Sequence, residues 1–120
     1  MLKIYILKNC SSCQKALQFL DSQKIQYQSF SIVEQPPSLK DLKKMLGFLK
    51  LNGQNFKKLF NTSGEQYRLL KISQKLADGW TEQEALAMLA TNGKLIKRPF
   101  ALDESFGLVG FQPDVWQTHF

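Results

Sequence analysis

Leu2-Lys3-Ile4-Tyr5-Ile6-Leu7-Lys8-Asn9-Cys10-Ser11-Ser12-Cys13-Gln14-Lys15-Ala16-Leu17-Gln18-Phe19-Leu20 is the stretch that decides the fold. Leu2 to Leu7 reads as a central strand of apolar and β-branched residues. From Ser11 to Gln23 the spacing becomes helical. Ala16, Leu17, Phe19 and Leu20 supply a buried face, and Lys15, Gln18 and Asp21 a wet one. The only two cysteines of the chain, Cys10 and Cys13, sit at the junction in a C-x-x-C. Cys10 lies near the positive end of the helix dipole, where the reactive thiolate is favoured. Cys13 follows one turn later, close enough to close a disulfide with it. The start of the chain thus carries a two-thiol switch or a two-thiol catalyst.

Ile25-Gln26-Tyr27-Gln28-Ser29-Phe30 alternates apolar with polar, the pattern of a half-buried strand. Strand, helix and strand make a βαβ unit with parallel strands and a right-handed crossover. A strand ending at a C-x-x-C that opens the crossover helix is the thioredoxin-like redox signature. Pro36-Pro37 breaks the chain, and Ser38 is a good N-cap. Leu39, Leu42, Met45 and Leu46 carry a helical stripe to about Gly47. The region from about 32 to 91 reads as all-helical. Its parts are a turn at Asn52-Gly53, a short segment from Asn55 to Phe60, a turn at Asn61-Thr62-Ser63-Gly64 and a helix from Glu65 to about Lys71. The capping box Thr81-Glu82-Gln83-Glu84 opens a helix that stops near Asn92-Gly93. The last third returns to strands. Arg98 to Leu102 and Phe106 to Val109 flank Asp103-Glu104-Ser105 as a hairpin, and Gln112-Pro113-Asp114 opens a final turn or short helix. This order predicts an α/β protein with a thioredoxin-like (glutaredoxin-like) mixed sheet. It predicts a single domain over 1–120, with a core from about 1–32 and 94–120 and a helical insert over about 33–93.

At 120 residues the chain is long enough to bury one core without staples. No apolar run approaches the roughly 20 residues that span a bilayer. The apolar N-terminus is too short for a signal peptide and runs straight into the C-x-x-C. The expected setting is therefore cytoplasmic and reducing, where a cysteine pair is catalytic, redox-sensing or metal-binding rather than structural. Two cysteines and one distant histidine cannot complete a four-ligand zinc site within one chain, so no metal or cofactor is expected. The net charge of +6 favours contact with an acidic protein, a phosphate-like anion or nucleic acid. Lys40, Lys43, Lys44, Lys50, Lys57 and Lys58 alternate with apolar residues at helical spacing, which reads as solvated helix faces. No nucleic-acid-binding signature is present, and direct nucleic-acid binding is not expected.

Three pieces of sequence resemble the ArsC/Spx family. They are the C-x-x-C after the first strand, the stretch Leu59-Phe60-Asn61-Thr62-Ser63-Gly64-Glu65-Gln66-Tyr67-Arg68, and Leu95-Ile96-Lys97-Arg98-Pro99 with Val109-Gly110-Phe111 downstream. The likeness covers nearly the whole chain. That family contains glutaredoxin-coupled arsenate reductases and the Spx/MgsR regulators, which bind the C-terminal domain of the RNA polymerase α subunit. The resemblance implies that Cys10 is the nucleophile, that Arg98 sits beside it, and that Pro99 follows a cis peptide bond facing the cysteines. A guanidinium there favours a thiolate and can fork onto an oxyanion. The reductases with a lone cysteine use three arginines. The positions of the other two fall near Asn61 and Gly110-Phe111, and neither is an arginine here. Cys13 is typical of the Spx-like branch and allows Cys10 to be resolved internally. With a one-residue shift in the alignment, the resemblance implies Gly53 as the counterpart of the glycine with which that branch meets RNA polymerase.

The resemblance implies a protein whose Cys10 and Cys13 cycle between dithiol and disulfide. The missing arginines and the C-x-x-C lean toward a redox-responsive transcription regulator whose partner is the RNA polymerase α C-terminal domain. The alternative is an arsenate reductase-like thiol oxidoreductase, with glutaredoxin, thioredoxin or glutathione as reductant. Asn61 and Ser63 are a candidate anion site or simply turn and capping chemistry, together with Thr62 and Gly64. Lys8 either assists the thiol or points away. Trp80 reads as a staple against the next helix. His119 reads as frayed and silent.

Overall fold

β1 (Leu2–Ile6) runs through the middle of a four-stranded sheet in the computed structural model, which describes residues 1–120. β2 (Tyr27–Ser31) lies parallel to it, with Leu2 opposite Tyr27 and Ile6 opposite Ser31. On the other side β3 (Phe100–Leu102) is antiparallel to β1, and β4 (Gly107–Val109) is antiparallel to β3. The order is β2-β1-β3-β4. The hairpin strands are shorter than expected. Arg98 and Pro99 fall outside β3, consistent with a proline that has no N–H to give a ladder.

The alternation along β1 divides the core. Leu2 and Ile4 face α1 (Ser11–Ser22) and α6 (Pro113–Gln117), packing with Ala16, Leu20, Ala101, Leu108 and Trp116. Tyr5 faces the other way. There it joins a cluster of sixteen buried residues that includes Leu42, Met45, Leu46 and Leu49 of α2 (Leu39–Leu51) and Ala85, Leu86 and Leu89 of α5 (Glu82–Thr91). Phe100 and Leu102 belong to the same cluster. Each fully buried leucine contributes about 1.5–3 kcal/mol. The helical stretch between β2 and β3 is therefore one of the two layers that cover the sheet.

Several boundaries differ from the sequence reading, each for a local reason. α2 runs past the exposed Gly47 to Leu51, because Phe48 and Leu49 continue its apolar stripe into the core. A mid-helix glycine costs about 1 kcal/mol, less than burying one leucine returns. The helix stops at Gly53, whose φ is 73°, with Gly53 N–H donating to Lys50 O and Gln54 N–H to Leu49 O. A 3-10 turn, Phe56–Leu59, follows. The helix expected from Glu65 to Lys71 is two: α3 (Glu65–Leu69) and α4 (Ile72–Ala77). Lys71 adopts a left-handed φ of 52° between them, and the turn delivers Ile72 to full burial. Trp80 packs its ring on Phe60, with centroids 6.2 Å apart. The capping box at Thr81 and Glu84 is complete, with both reciprocal bonds made. A second 3-10 turn, Gly93–Leu95, leads back to the sheet. A Cβ on Gly93 would sit 1.7 Å from the carbonyl oxygen of Ile32, so only glycine allows this close approach. No helix is long and apolar enough to cross a membrane.

Candidate active site

Cys10 occupies the N-cap position of α1, in extended conformation. Its N–H donates to Leu7 O (3.1 Å), which tightens the turn leaving β1. Gln14 closes the loop from the other side. Its backbone N–H donates to Cys10 O (3.1 Å) and its side-chain amide to Lys8 O (2.9 Å). The Cys10 sulfur stands where a serine or aspartate oxygen would cap the helix, and it accepts the N–H of Cys13 at 3.3 Å. Cys10 is partly exposed, whereas Cys13 is fully buried, and both are free thiols. Burial pushes the Cys13 thiol up to about 12, helped by its hydrogen bond with Cys10, while a backbone contact with Leu7 and the charge of Arg98 act in the opposite direction. Lys8 is exposed.

A short non-sheet pairing brings two of the other candidate residues, Asn61 and Arg98, together. Phe60 and Ile96 form an isolated antiparallel bridge. Asn61 N–H donates to Leu95 O and Lys97 N–H to Leu59 O, each at 2.7 Å. Asn61 and Arg98 thereby reach one cavity of about 150 Å³, lined by Leu7, Asn61, Gly64, Glu65, Gln66, Lys94 and Arg98. Leu7 is the residue whose carbonyl holds Cys10. The Arg98–Pro99 peptide is cis. One guanidinium nitrogen of Arg98, Nη1, is buried without a hydrogen-bond partner. A buried charged donor left unpaired is costly, and such a group marks a place for an acceptor.

The rest of the sequence candidates divide. Helix capping does not use Asn61, Thr62 or Ser63: the N-cap of α3 is Gly64, and no side chain caps it. Asn61 instead lies over Gly64, its Nδ2 2.6 Å from where a Cβ would be, and its Oδ1 accepts from Ser63 Oγ at 3.3 Å. Ser63 and Thr62 are exposed and line a different cavity. Gly110 has φ 75° and lies under the Lys97 side chain, whose Cε would be 2.9 Å from an added Cβ. Phe111 packs on Trp116 and Phe19 at 5.1 and 5.9 Å. These two positions therefore serve the turn and the core. His119 is not frayed: its ring stacks on Phe106 at 4.6 Å. Lys94, Glu65 and Gln66 escaped sequence reasoning. The only cue was that Lys94 sits four residues before Arg98. Gln66 accepts from Asn92 Nδ2 at 3.3 Å, which ties α3 to the turn carrying Lys94.

Comparisons with known proteins fit this geometry. A family model described as the ArsC family matches residues 5–119. The protein YusI of Bacillus subtilis, itself uncharacterized, is 37% identical over 118 residues, covering 98% of this chain and 97% of its own. A global transcriptional regulator, Spx of Listeria innocua, is 25% identical over 114 residues, covering 95% of this chain and 82% of its own. A solved structure from Streptococcus mutans, described as a possible arsenate reductase, superposes with a TM-score of 0.85 at 34% identity, covering 100% of this chain and 98% of that one. With the C-x-x-C at the head of α1, the mixed sheet and the match along nearly its whole length, the chain belongs to the ArsC family.

Proposed function

We propose that this protein is a dithiol/disulfide redox protein in which Cys10 reacts first and Cys13 resolves. The Cys10 thiolate attacks a sulfur of an oxidised partner, forming a mixed disulfide and expelling one thiolate. Cys13 then loses its proton and attacks the Cys10 sulfur. The Cys10–Cys13 disulfide forms and the second thiol leaves. Two electrons pass from the protein to the substrate, and glutaredoxin, thioredoxin or glutathione returns them. The observation that carries this reading is the pairing of a partly exposed Cys10 with a buried Cys13 one turn away, the N–H of one on the sulfur of the other.

The finer assignment is a regulator whose disulfide state is read by the C-terminal domain of the RNA polymerase α subunit. The similarity to Spx and the presence of Cys13 support it. Gly53 offers an exposed, open turn at the end of α2 for such a contact. A reductase reading is favoured by the orphaned Nη1 of Arg98 in a cavity shared with Lys94. An arsenate ion there would meet Arg98 and Lys94 but also the carboxylate of Glu65 and the neutral amide of Asn61. That set suits a singly charged acceptor better than a highly charged oxyanion. The deciding experiment measures binding of the purified protein to the α C-terminal domain, once reduced and once oxidised. Binding that differs between the two states supports the regulator. Equal or absent binding, with turnover of arsenate that is lost in Arg98→Ala, overturns it in favour of the reductase.

A further inference from the structure

The turn that carries Cys10 is tied to α1 by one side chain, that of Gln14. Leu7 to Cys10 closes through a bond of its own, from Cys10 N–H to Leu7 O. Its middle residues, Lys8 and Asn9, are exposed. Two of its carbonyls are held from outside, both by Gln14. The Gln14 backbone N–H donates to Cys10 O at 3.1 Å, and the side-chain Nε2 donates to Lys8 O at 2.9 Å. The first bond is the one that opens any α-helix. The second is particular to this chain. It needs a donor on a side chain long enough to reach back six residues, and no other side chain donates to the turn.

The tether acts on the atom that reacts. The Cys10 sulfur accepts the Cys13 N–H at 3.3 Å, in the place of a capping oxygen. That contact depends on Cys10 keeping its extended backbone, φ −92° and ψ 117°, just outside the helix. Rotation of the exposed Lys8–Asn9 segment would carry the sulfur away from the helix start. Holding the Lys8 carbonyl against Gln14 opposes that rotation. A thiolate gains more than a thiol from the N–H groups and dipole at a helix start, so the tether favours the reactive form. An exposed hydrogen bond adds little to stability, because water would satisfy both groups. Its consequence lies in where it leaves Cys10.

We propose that Gln14 is a positioning residue: its side-chain amide holds the Lys8 carbonyl and so keeps the Cys10 sulfur on the N-terminus of α1. This rests on the dithiol reading, in which Cys10 reacts first, and adds the residue that keeps it poised. Gln14 acts through the turn and not on the sulfur itself.

The test uses the full-length reduced protein carrying Cys13→Ser, so that Cys10 is the only thiol. Alkylation by iodoacetamide is followed by mass spectrometry at pH 6 and at pH 10, below and above the ordinary thiol value of about 8.5. At the lower pH the rate follows the thiolate fraction, and at the higher pH it follows access alone. Gln14→Met and Gln14→Leu remove the donor and match glutamine in helix propensity, so neither weakens α1. Each should slow the reaction about two- to fivefold at pH 6, the worth of a charge at a helix start, and leave the rate at pH 10 unchanged. Gln18→Met, one turn further along the exposed face of α1, should change neither rate. Equal slowing at both pH values would mean that Gln14 shapes access or the fold, and would overturn the positioning role. No slowing at pH 6, or the same slowing in Gln18→Met, would overturn it as well, with the dithiol reading left standing. The wild-type chain is treated with diamide in parallel. Failure to form a Cys10–Cys13 disulfide there would remove the dithiol reading and the proposal with it.

Discussion

The buried position of Cys13 makes a quantitative demand on its reactivity. With its thiol pushed up to about 12, the thiolate at pH 7 is about one part in 10⁵. An ordinary accessible cysteine, with a pKa of about 8.5, is ionised to about three parts in a hundred. The ratio is about 3,000, before the shielding of Cys13 from reagent is counted. The clean perturbation is Cys10→Ser, which leaves Cys13 as the sole thiol and retains burial, the largest cause of its shift. Its alkylation by iodoacetamide, followed by mass spectrometry at pH 7, should be more than about tenfold slower than that of free cysteine, although the contribution of Cys10 to the shift is gone. The rate should climb about tenfold for each pH unit, and urea should release it. In the wild-type protein, single alkylation should fall on Cys10. If Cys13 in the variant reacts within tenfold of free cysteine in the folded protein, the order of attack assigned to the two thiols is wrong.

Two further outcomes follow from the same structure. The raised Cys13 pKa makes the folded state hold a proton that the unfolded chain releases. The corresponding stability is complete below the unfolded-state value and is lost as pH rises from about 9 toward about 12. Urea midpoints of the reduced protein should therefore fall between pH 8 and pH 10.5, and Cys13→Ser should flatten that fall; an equal slope in both would show that Cys13 is not the group responsible. Gly93→Ala drives a methyl into the Ile32 carbonyl and should cost about 3 kcal/mol in urea unfolding, with parallel loss of Cys10–Cys13 oxidation rate because Lys94 to Arg98 hang from that contact. Wild-type stability in this variant would mean that the approach of the two segments relaxes freely.

The order of strands and helices was legible because it depends on local spacing. The period of two in Ile25 to Phe30, the change to helical spacing after Cys10, and the capping box at Thr81 each name an element without reference to the rest. Lys71 and Gly47 were misread for the opposite reason. A left-handed lysine and a glycine inside a helix are locally unfavourable, and the burial of Ile72 and Leu49 outweighs the local preference. His119 was misjudged because stacking on Phe106 is a tertiary contact with no periodic trace.

The sequence by itself determined the two thiols, their spacing and their place at the head of a helix, since three residues along a chain settle those. The tertiary structure alone decided their inequality: Cys13 is buried and Cys10 is not, through the packing of α1 against the sheet. It also decided which residues share the cavity. Asn61 and Arg98 are far apart in the chain and meet through the Phe60–Ile96 bridge, bringing Lys94, Glu65 and Gln66 with them. A bridge of this kind is a hydrogen-bonded contact between distant segments. Its register depends on how the helical layer seats on the sheet, and no local pattern in either segment encodes that.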